Sequence, residues 1–157
     1  MKQDKSNSAR YKALVELLRT AEALWNASRV FFDRWKLSPS QFNILNLLYL
    51  TSEGCTQIEL SRQLIMHRSN VTGLVDRLEK RGLLQRKDSS TDRRAYKVVL
   101  TSAGRKLIAQ ILPDYYEAAE TIWGKFPKRR TQQLAGDLEK LSANIETFSA
   151  ARLKGNE

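Results

Sequence analysis

Thr56-Gln57-Ile58-Glu59-Leu60-Ser61, Val71-Thr72-Gly73-Leu74-Val75-Asp76-Arg77-Leu78, Gly82-Leu83 and Asp92-Arg93-Arg94-Ala95-Tyr96-Lys97-Val98-Val99-Leu100-Thr101 follow one another within 46 residues. In the first segment the threonine hydroxyl and the glutamate carboxylate can cap each other's backbone N–H groups, so a helix opens at Thr56. Leu60 and Leu64 then share one face, and Ser61 is small where a second helix must cross closely. That second helix is predicted over Arg68–Arg81, with Val71, Leu74, Val75 and Leu78 as its buried stripe. Gly82 stops it, because glycine takes the left-handed conformation without a Cβ clash. Leu84–Lys87 and Tyr96–Leu100 suit strands, and Asp88-Ser89-Ser90-Thr91-Asp92 supplies polar turn residues between them. Helix, turn, helix and basic hairpin in this order spell a winged helix-turn-helix.

The face of the second helix opposite the apolar stripe carries Ser69, Thr72, Gly73, Asp76 and Lys80, flanked by Arg68, Asn70 and Arg77. It is short, polar and basic at its start. Glycine costs about 1 kcal/mol relative to alanine in a helix interior, so Gly73 suggests a place where backbone must approach a groove wall. Arg93 and Arg94 fall near the hairpin tip, where a guanidinium can enter the negative potential of a narrow minor groove. Asp92 would repel phosphate unless it steadies Arg94 through a hydrogen-bonded ion pair. The competing reading is a solvated helix face beside a solvated hairpin.

These residues resemble the multiple-antibiotic-resistance regulator (MarR) family of bacterial transcription factors. The wing pattern Asp92-x-Arg94 leading to Val98-x-Leu100-Thr101 and Gly104 is its most specific part. Leu37-Ser38-x-x-Gln41-Phe42-x-Ile44-Leu45, Thr56-x-x-x-Leu60-Ser61 and Val71-Thr72-x-Leu74-Val75-Asp76-Arg77-Leu78-Glu79-x-x-Gly82-Leu83 are also similar. The resemblance implies a homodimeric, sequence-specific transcriptional regulator, a repressor bound to a pseudo-palindromic double-stranded operator. It also implies release by a small aromatic or phenolic effector held between the dimer helices and the winged part. Candidate DNA contacts are Gln57, His67, Arg68, Ser69, Asn70, Thr72, Gly73, Arg77, Arg86, Asp92, Arg93, Arg94 and Lys97. Trp25, Arg29, Phe32, Tyr49 and Tyr115 are the candidate effector contacts, the arginine for an anion and the rings for a flat ligand. Core packing competes for each ring, and helix capping competes at His67.

Charge agrees with a polyanionic partner. The 157 residues carry a formal charge of +10. From Arg62 to Lys97 there are ten Lys or Arg and four Asp or Glu, so this stretch supplies +6. An even scatter would place roughly +2 there, which makes the basicity a localised footprint.

Elsewhere the chain reads as helical. Leu14, Leu17, Leu18, Ala21, Trp25, Ser28 and Phe32 step by three and four through a long helix from about residue 8 to 35. Ser38-Pro39-Ser40-Gln41 opens another helix with serine as cap, proline at its first position and glutamine completing the box; it bears Phe42, Leu45, Leu48 and Tyr49 and is expected to end at Glu53-Gly54. A helix from Thr101 toward Phe126 should bend at Pro113. Thr131 is expected to cap a last helix with Leu134, Leu138, Leu141, Ile145 and Phe148 along one side.

The fold class is therefore mainly α with a small β-hairpin wing. The organisation is one domain over 1–157, with the winged helix-turn-helix at 37–101 and helical dimerisation parts at 8–36 and 102–152. The terminal stripes exceed what a central module of about 65 residues can cover, so a homodimer is expected, against an intramolecular helical layer as the alternative.

No targeting or membrane signal is found, which points to the cytoplasm. A single cysteine and a single histidine argue against a zinc site, and no metal or cofactor is expected. No phosphate loop or nucleophile elbow is present, so no catalytic residues are assigned and the chain is read as a non-enzyme. The alternatives are a winged-helix protein-interaction module, or a thiol-based redox regulator acting through Cys55.

Overall fold

The computed structural model describes residues 8–51, 53–64, 68–88 and 96–154. Two compact units divide the chain, Met1–Leu112 and Pro113–Glu157. In the first unit lie α1 (Ala9–Asp33), α2 (Pro39–Leu50), β1 (Cys55–Thr56), α3 (Gln57–Gln63), α4 (Arg68–Lys80), β2 (Leu84–Asp88), β3 (Tyr96–Leu100) and the start of α5 (Ser102–Trp123). The rest of α5 and α6 (Lys128–Lys154) belong to the second. The mainly helical fold with a small antiparallel sheet agrees with the sequence reading.

Local chemistry sets the helix ends. Ser38 and Thr56 each close a capping box, with Gln41 and Glu59 as the reciprocal partners, so α2 and α3 start where expected. Glu59 accepts from the Thr56 backbone N–H, which is the chief reason its carboxyl pKa lies below the usual value; the Thr56 hydroxyl and the charges of Lys97 and Arg62 act in the same direction against partial desolvation. A lowered folded-state pKa means that this contribution is complete above the unfolded carboxylate value. It is lost as pH falls through the lowered one.

At the end of α4, Gly82 at φ +68 donates to the Glu79 carbonyl at 2.8 Å and Leu83 to the Leu78 carbonyl at 3.1 Å. That pair of bonds is a Schellman motif, with glycine at the left-handed position. The same two bonds end α1, from Lys36 to Asp33 at 2.8 Å and from Leu37 to Phe32 at 3.3 Å. There the left-handed position is filled by Lys36 at φ 53, a conformation that favours glycine.

Two boundaries depart from expectation. Helix α2 stops at Leu50, where extended Thr51 returns both its N–H and its hydroxyl to the Leu47 carbonyl; Gly54, at φ +74, instead turns the chain into β1. A Cβ on Gly54 would collide with the Val98 carbonyl. Helix α6 begins at Lys128, so Thr131 lies inside its first turn and points its hydroxyl back to Pro127 rather than capping. Helix α5 carries Pro113 in its interior and remains helical on both sides of it.

The sheet has the order β1-β3-β2, all antiparallel. Leu84 faces Leu100 and Asp88 faces Tyr96, the hairpin expected for a wing. Strand β1 was not expected. Thr56 pairs with Lys97 and Cys55 with Val98, because an N-cap residue keeps an extended backbone (ψ 158 at Thr56) and can enter a ladder while capping a helix.

The core joins these elements. Val71, Val75 and Leu78 of α4 are fully buried and Leu74 nearly so, together with Phe42, Ile44, Leu45 and Leu48 of α2, Leu60 of α3, Leu84 and Val98 of the sheet, and Ile108 and Ile111 of α5. Thr101 starts α5 and donates to the Leu83 carbonyl through its N–H and to the Gly82 carbonyl through its hydroxyl. Three residues on, Gly104 sits so close that an added Cβ would fall onto the Leu83 carbonyl oxygen.

Gly104→Ala is accordingly expected to destabilise the protein by about 3 kcal/mol, since the blocking atoms are backbone. Gly136→Ala in α6, where a Cβ meets open space, should raise stability by up to about 1 kcal/mol. Urea midpoints of the two variants check both.

Candidate nucleic-acid interface

The buried stripe of α4 fixes which side the helix turns outward. Asn70, Arg77 and Lys80 are exposed there, with Thr72, Gly73 and Asp76 half-buried beside them. The Thr72 hydroxyl donates to the Gln57 side-chain oxygen at 2.8 Å, tying the first turn of α3 to α4. Gly73 has room: a Cβ would meet only the Arg77 guanidinium, at 3.9 Å. Nothing inside the described protein therefore requires glycine at this position.

The acidic residues of α4 are engaged by Arg86 of β2. Its guanidinium bonds Asp76 through one terminal nitrogen and Glu79 through the other, and its backbone N–H donates to Glu79 at 3.0 Å. Asp76 and Glu79 stand three apart on α4 and so share a face. Bonding to Asp76 first, then the charges of Glu79 and Asp76, raise the Arg86 pKa against the effect of burial. The bracket offsets one of the two negative charges on α4 and pins the wing strand to it.

The sequence placed Arg86 among the DNA contacts; the structure gives its guanidinium to these two carboxylates. The signal was present in the Asp76–Glu79 spacing, but only the strand's position against α4 makes the three residues neighbours. Lys97 on β3, also expected at DNA, has its amine 3.9 Å from the Glu53 carboxylate and lies in the field of Glu59.

Of the remaining candidates, His67, Asp92, Arg93 and Arg94 lie outside the described residues, and Arg68 and Ser69 are described only as the backbone of the first turn of α4. Arg81 was missed altogether. It ends α4 and donates to the carbonyl oxygens of Lys36 at 2.6 Å and Trp35 at 3.1 Å.

Of the candidate effector residues, Trp25, Arg29, Phe32 and Tyr49 belong to the first unit and Tyr115 to the second. Phe32 is buried, stacked on Phe42 at 4.2 Å and edge-on to Phe31 at 4.9 Å, so its ring is a core ring. Tyr49 lies under the Arg105 guanidinium at 5.4 Å. Trp25 and Arg29 are exposed on α1, one turn apart, and Tyr115 lies in the second unit beside Tyr116. Cys55 is buried on β1, its sulfur 3.5 Å from the Thr51 hydroxyl, a setting that hides the thiol from oxidants. Among the described residues no group of three His, Cys, Asp or Glu is arranged to hold a metal ion. Among the described residues no helix is long and apolar enough to cross a membrane.

Residues 37–96 match the model of the MarR family. Over 138 residues the chain is 32% identical to the transcriptional repressor MprA of Escherichia coli K12, covering 83% of this chain and 78% of that one. The chain belongs to the MarR family. It is a transcriptional regulator of that family, and the winged helix-turn-helix described above is the family's fold. The E. coli regulator PapX is 32% identical over 107 residues, 68% of this MarR-family chain, which spans 65% of PapX. The S. aureus MepR protein, solved as a DNA complex, superposes with a TM-score of 0.74 over 86% of this chain and 97% of that one; at 20% identity it shows the shared fold.

Arg86→Met is expected to cost roughly 1–2 kcal/mol, solvent at the half-exposed Asp76 holding it to that range. Adding Asp76→Asn and Glu79→Gln should return much of the loss, because no unpaired carboxylate then remains. Urea unfolding of the single and triple variants measures both.

Proposed function

We propose that this MarR-family regulator acts in the cytoplasm as a homodimeric repressor that reads a pseudo-palindromic operator, with α4 in the major groove and the β2–β3 wing toward the minor groove. The observation that carries the reading is the outward face of α4. It offers Asn70, Thr72, Gly73 and Arg77 on a helix whose two carboxylates are both bonded by Arg86, so a polyanion meets donors and reduced negative charge there. The base-reading set is Asn70, Thr72 and Gly73, with Gln57 behind Thr72 and with Arg68, Ser69 and His67 at the helix start. Arg93 and Arg94, steadied by Asp92, supply the wing contact, and Arg77 and Lys97 supply positive charge along the surface. The MepR–DNA complex, formed by a protein of the same fold, supports the assignment.

Dimerisation is supported by apolar surface that one protomer leaves uncovered. On α1, Tyr11, Leu14 and Leu18 are exposed along one face; in the second unit Ile122, Phe126, Ile145 and Phe148 are exposed. Rows of this size at helical spacing belong in an interface. A twofold arrangement would set two α4 helices about one DNA turn, or a multiple of it, apart. For the effector, Trp25 and Arg29 on one face of α1 suit a small aromatic carboxylate or phenol.

Selection from random duplex DNA tests the reading: two inverted half-sites are the expected outcome, and failure to enrich any duplex would overturn it. With six or more phosphate contacts per dimer, affinity for the selected site should fall by roughly 10³-fold or more between 50 and 200 mM salt. A flat dependence would remove the basic surface from the interface.

Gly73→Ala separates the folded protein's needs from the partner's. Because a methyl group has room in the free protein, the variant should gain up to about 1 kcal/mol of stability. Its affinity for the operator should fall by about tenfold, since the added methyl stands between helix backbone and groove. Thermal unfolding and titration of a labelled duplex read the two effects.

A further inference from the structure

We infer that Arg81 is a positioning residue: it locks the C-terminal end of α4 to the turn that ends α1 and thereby sets the distance between the two DNA-reading helices. The inference rests on the DNA-reading dimer proposed above. Arg81 occupies the C-cap of α4, next to Gly82, within the Schellman motif that ends that helix. Its guanidinium donates to the Lys36 and Trp35 carbonyls at 2.6 and 3.1 Å, in the Schellman motif that ends α1. One side chain thus joins the final turns of two helices 45 residues apart in the chain.

The turn it grips has two further properties. Lys36 holds φ 53 without being glycine, a backbone state that costs of the order of a charge-assisted hydrogen bond to maintain. On its other side the turn is anchored to rings: Trp35 lies 5.3 Å from Phe31 and 6.5 Å from Phe32, Phe32 stacks on Phe42, and the Arg34 guanidinium lies 3.7 Å from the centroid of the Trp35 ring. The turn is consequently a stiff node on α1, and two bonds from a planar fork resist rotation where a single bond would permit it. Arg86 restrains α4 against the wing strand, along a different side chain and toward a different element. Arg81 restrains it against α1, the helix that carries exposed apolar surface for the dimer. A helix held only by its apolar stripe can slide or tilt by small amounts with little loss of burial. With Arg81 in place such a movement must break charge-assisted bonds.

The test uses the full-length dimer, duplexes carrying the selected half-sites with the spacing between them altered in single base-pair steps, and thermal unfolding of each variant. Arg81→Gln should lower discrimination between the optimal and the adjacent spacings by about tenfold while leaving base preference within each half-site unchanged. Arg81→Lys, which places a point charge where the fork was, should fall between parent and Arg81→Gln. Lys36→Gly added to Arg81→Gln should restore thermal stability, because glycine relieves the left-handed turn, yet leave spacing discrimination lost. Restored discrimination in that double variant would overturn the inference, since Arg81 would then act only by stabilising the turn. So would an Arg81→Gln protein that discriminates spacings as the parent does, or a parent that binds the half-sites with no spacing optimum. A parent that binds no duplex at all would instead overturn the DNA-reading function, and the inference with it.

Discussion

Burial of one stripe on α4 is the constraint from which the rest of the first unit follows. Val71, Leu74, Val75 and Leu78 bring α4 into a core with α2, α3, the sheet and the start of α5. At about 2 kcal/mol for each large apolar side chain removed from water, the stripe outweighs the cost of a helix interrupted by Gly73. Because the stripe occupies one side, the opposite side must face outward. The outward face, with Asn70, Thr72, Gly73 and Arg77 on it, is thus a consequence of packing.

Burial alone leaves a helix able to shift along its own axis. Directional bonds remove that freedom at three places. Thr72 bonds Gln57 on α3, Arg86 gathers Asp76 and Glu79 from β2, and Arg81 reaches the turn after α1. Two of these bonds involve full charges in partly screened positions, where each contributes modestly to stability but strongly to geometry. The Arg86 bracket has an electrostatic effect as well. Two carboxylates on a surface facing a polyanion would oppose binding, and the single positive charge of Arg86 offsets one of their two negative charges while bonding both.

The backbone shows similar economy around Leu83 and Val98. Gly104 lets α5 start directly over the Leu83 carbonyl, while Gly54 lets the chain pass the Val98 carbonyl on its way into β1. Both glycines are needed for close backbone approach, unlike Gly73, whose Cβ position is open in the protein alone. The terminal helices present the reverse case. Their apolar residues are spaced as regularly as those of α4 but remain exposed in a single protomer, so their periodicity reports an amphipathic surface without saying what covers it.

By itself the sequence determined the features that arise within a few residues. The capping boxes at Ser38 and Thr56, the stop at Gly82, the apolar stripe of α4 and the alternation of the hairpin strands are all local, because i to i+3 and i to i+4 neighbours decide them. The family was legible for the same reason, in short motifs at fixed spacing. Local signals failed where a residue had two options: Thr131 has the chemistry of a cap but back-bonds inside α6, and Gly54 resembles a helix stop but serves a strand entry. Strand β1 was invisible because two residues carry no periodicity, and its pairing with Val98 and Lys97 spans some forty residues. Only the tertiary structure decided that Arg86 belongs to Asp76 and Glu79, that Phe32 lies against Phe42, and that Arg81 grips the turn at Lys36. An arginine or an aromatic ring has the same chemistry at every site; which carboxylate, ring or carbonyl it meets depends on how distant elements pack, and that information is carried by the fold as a whole.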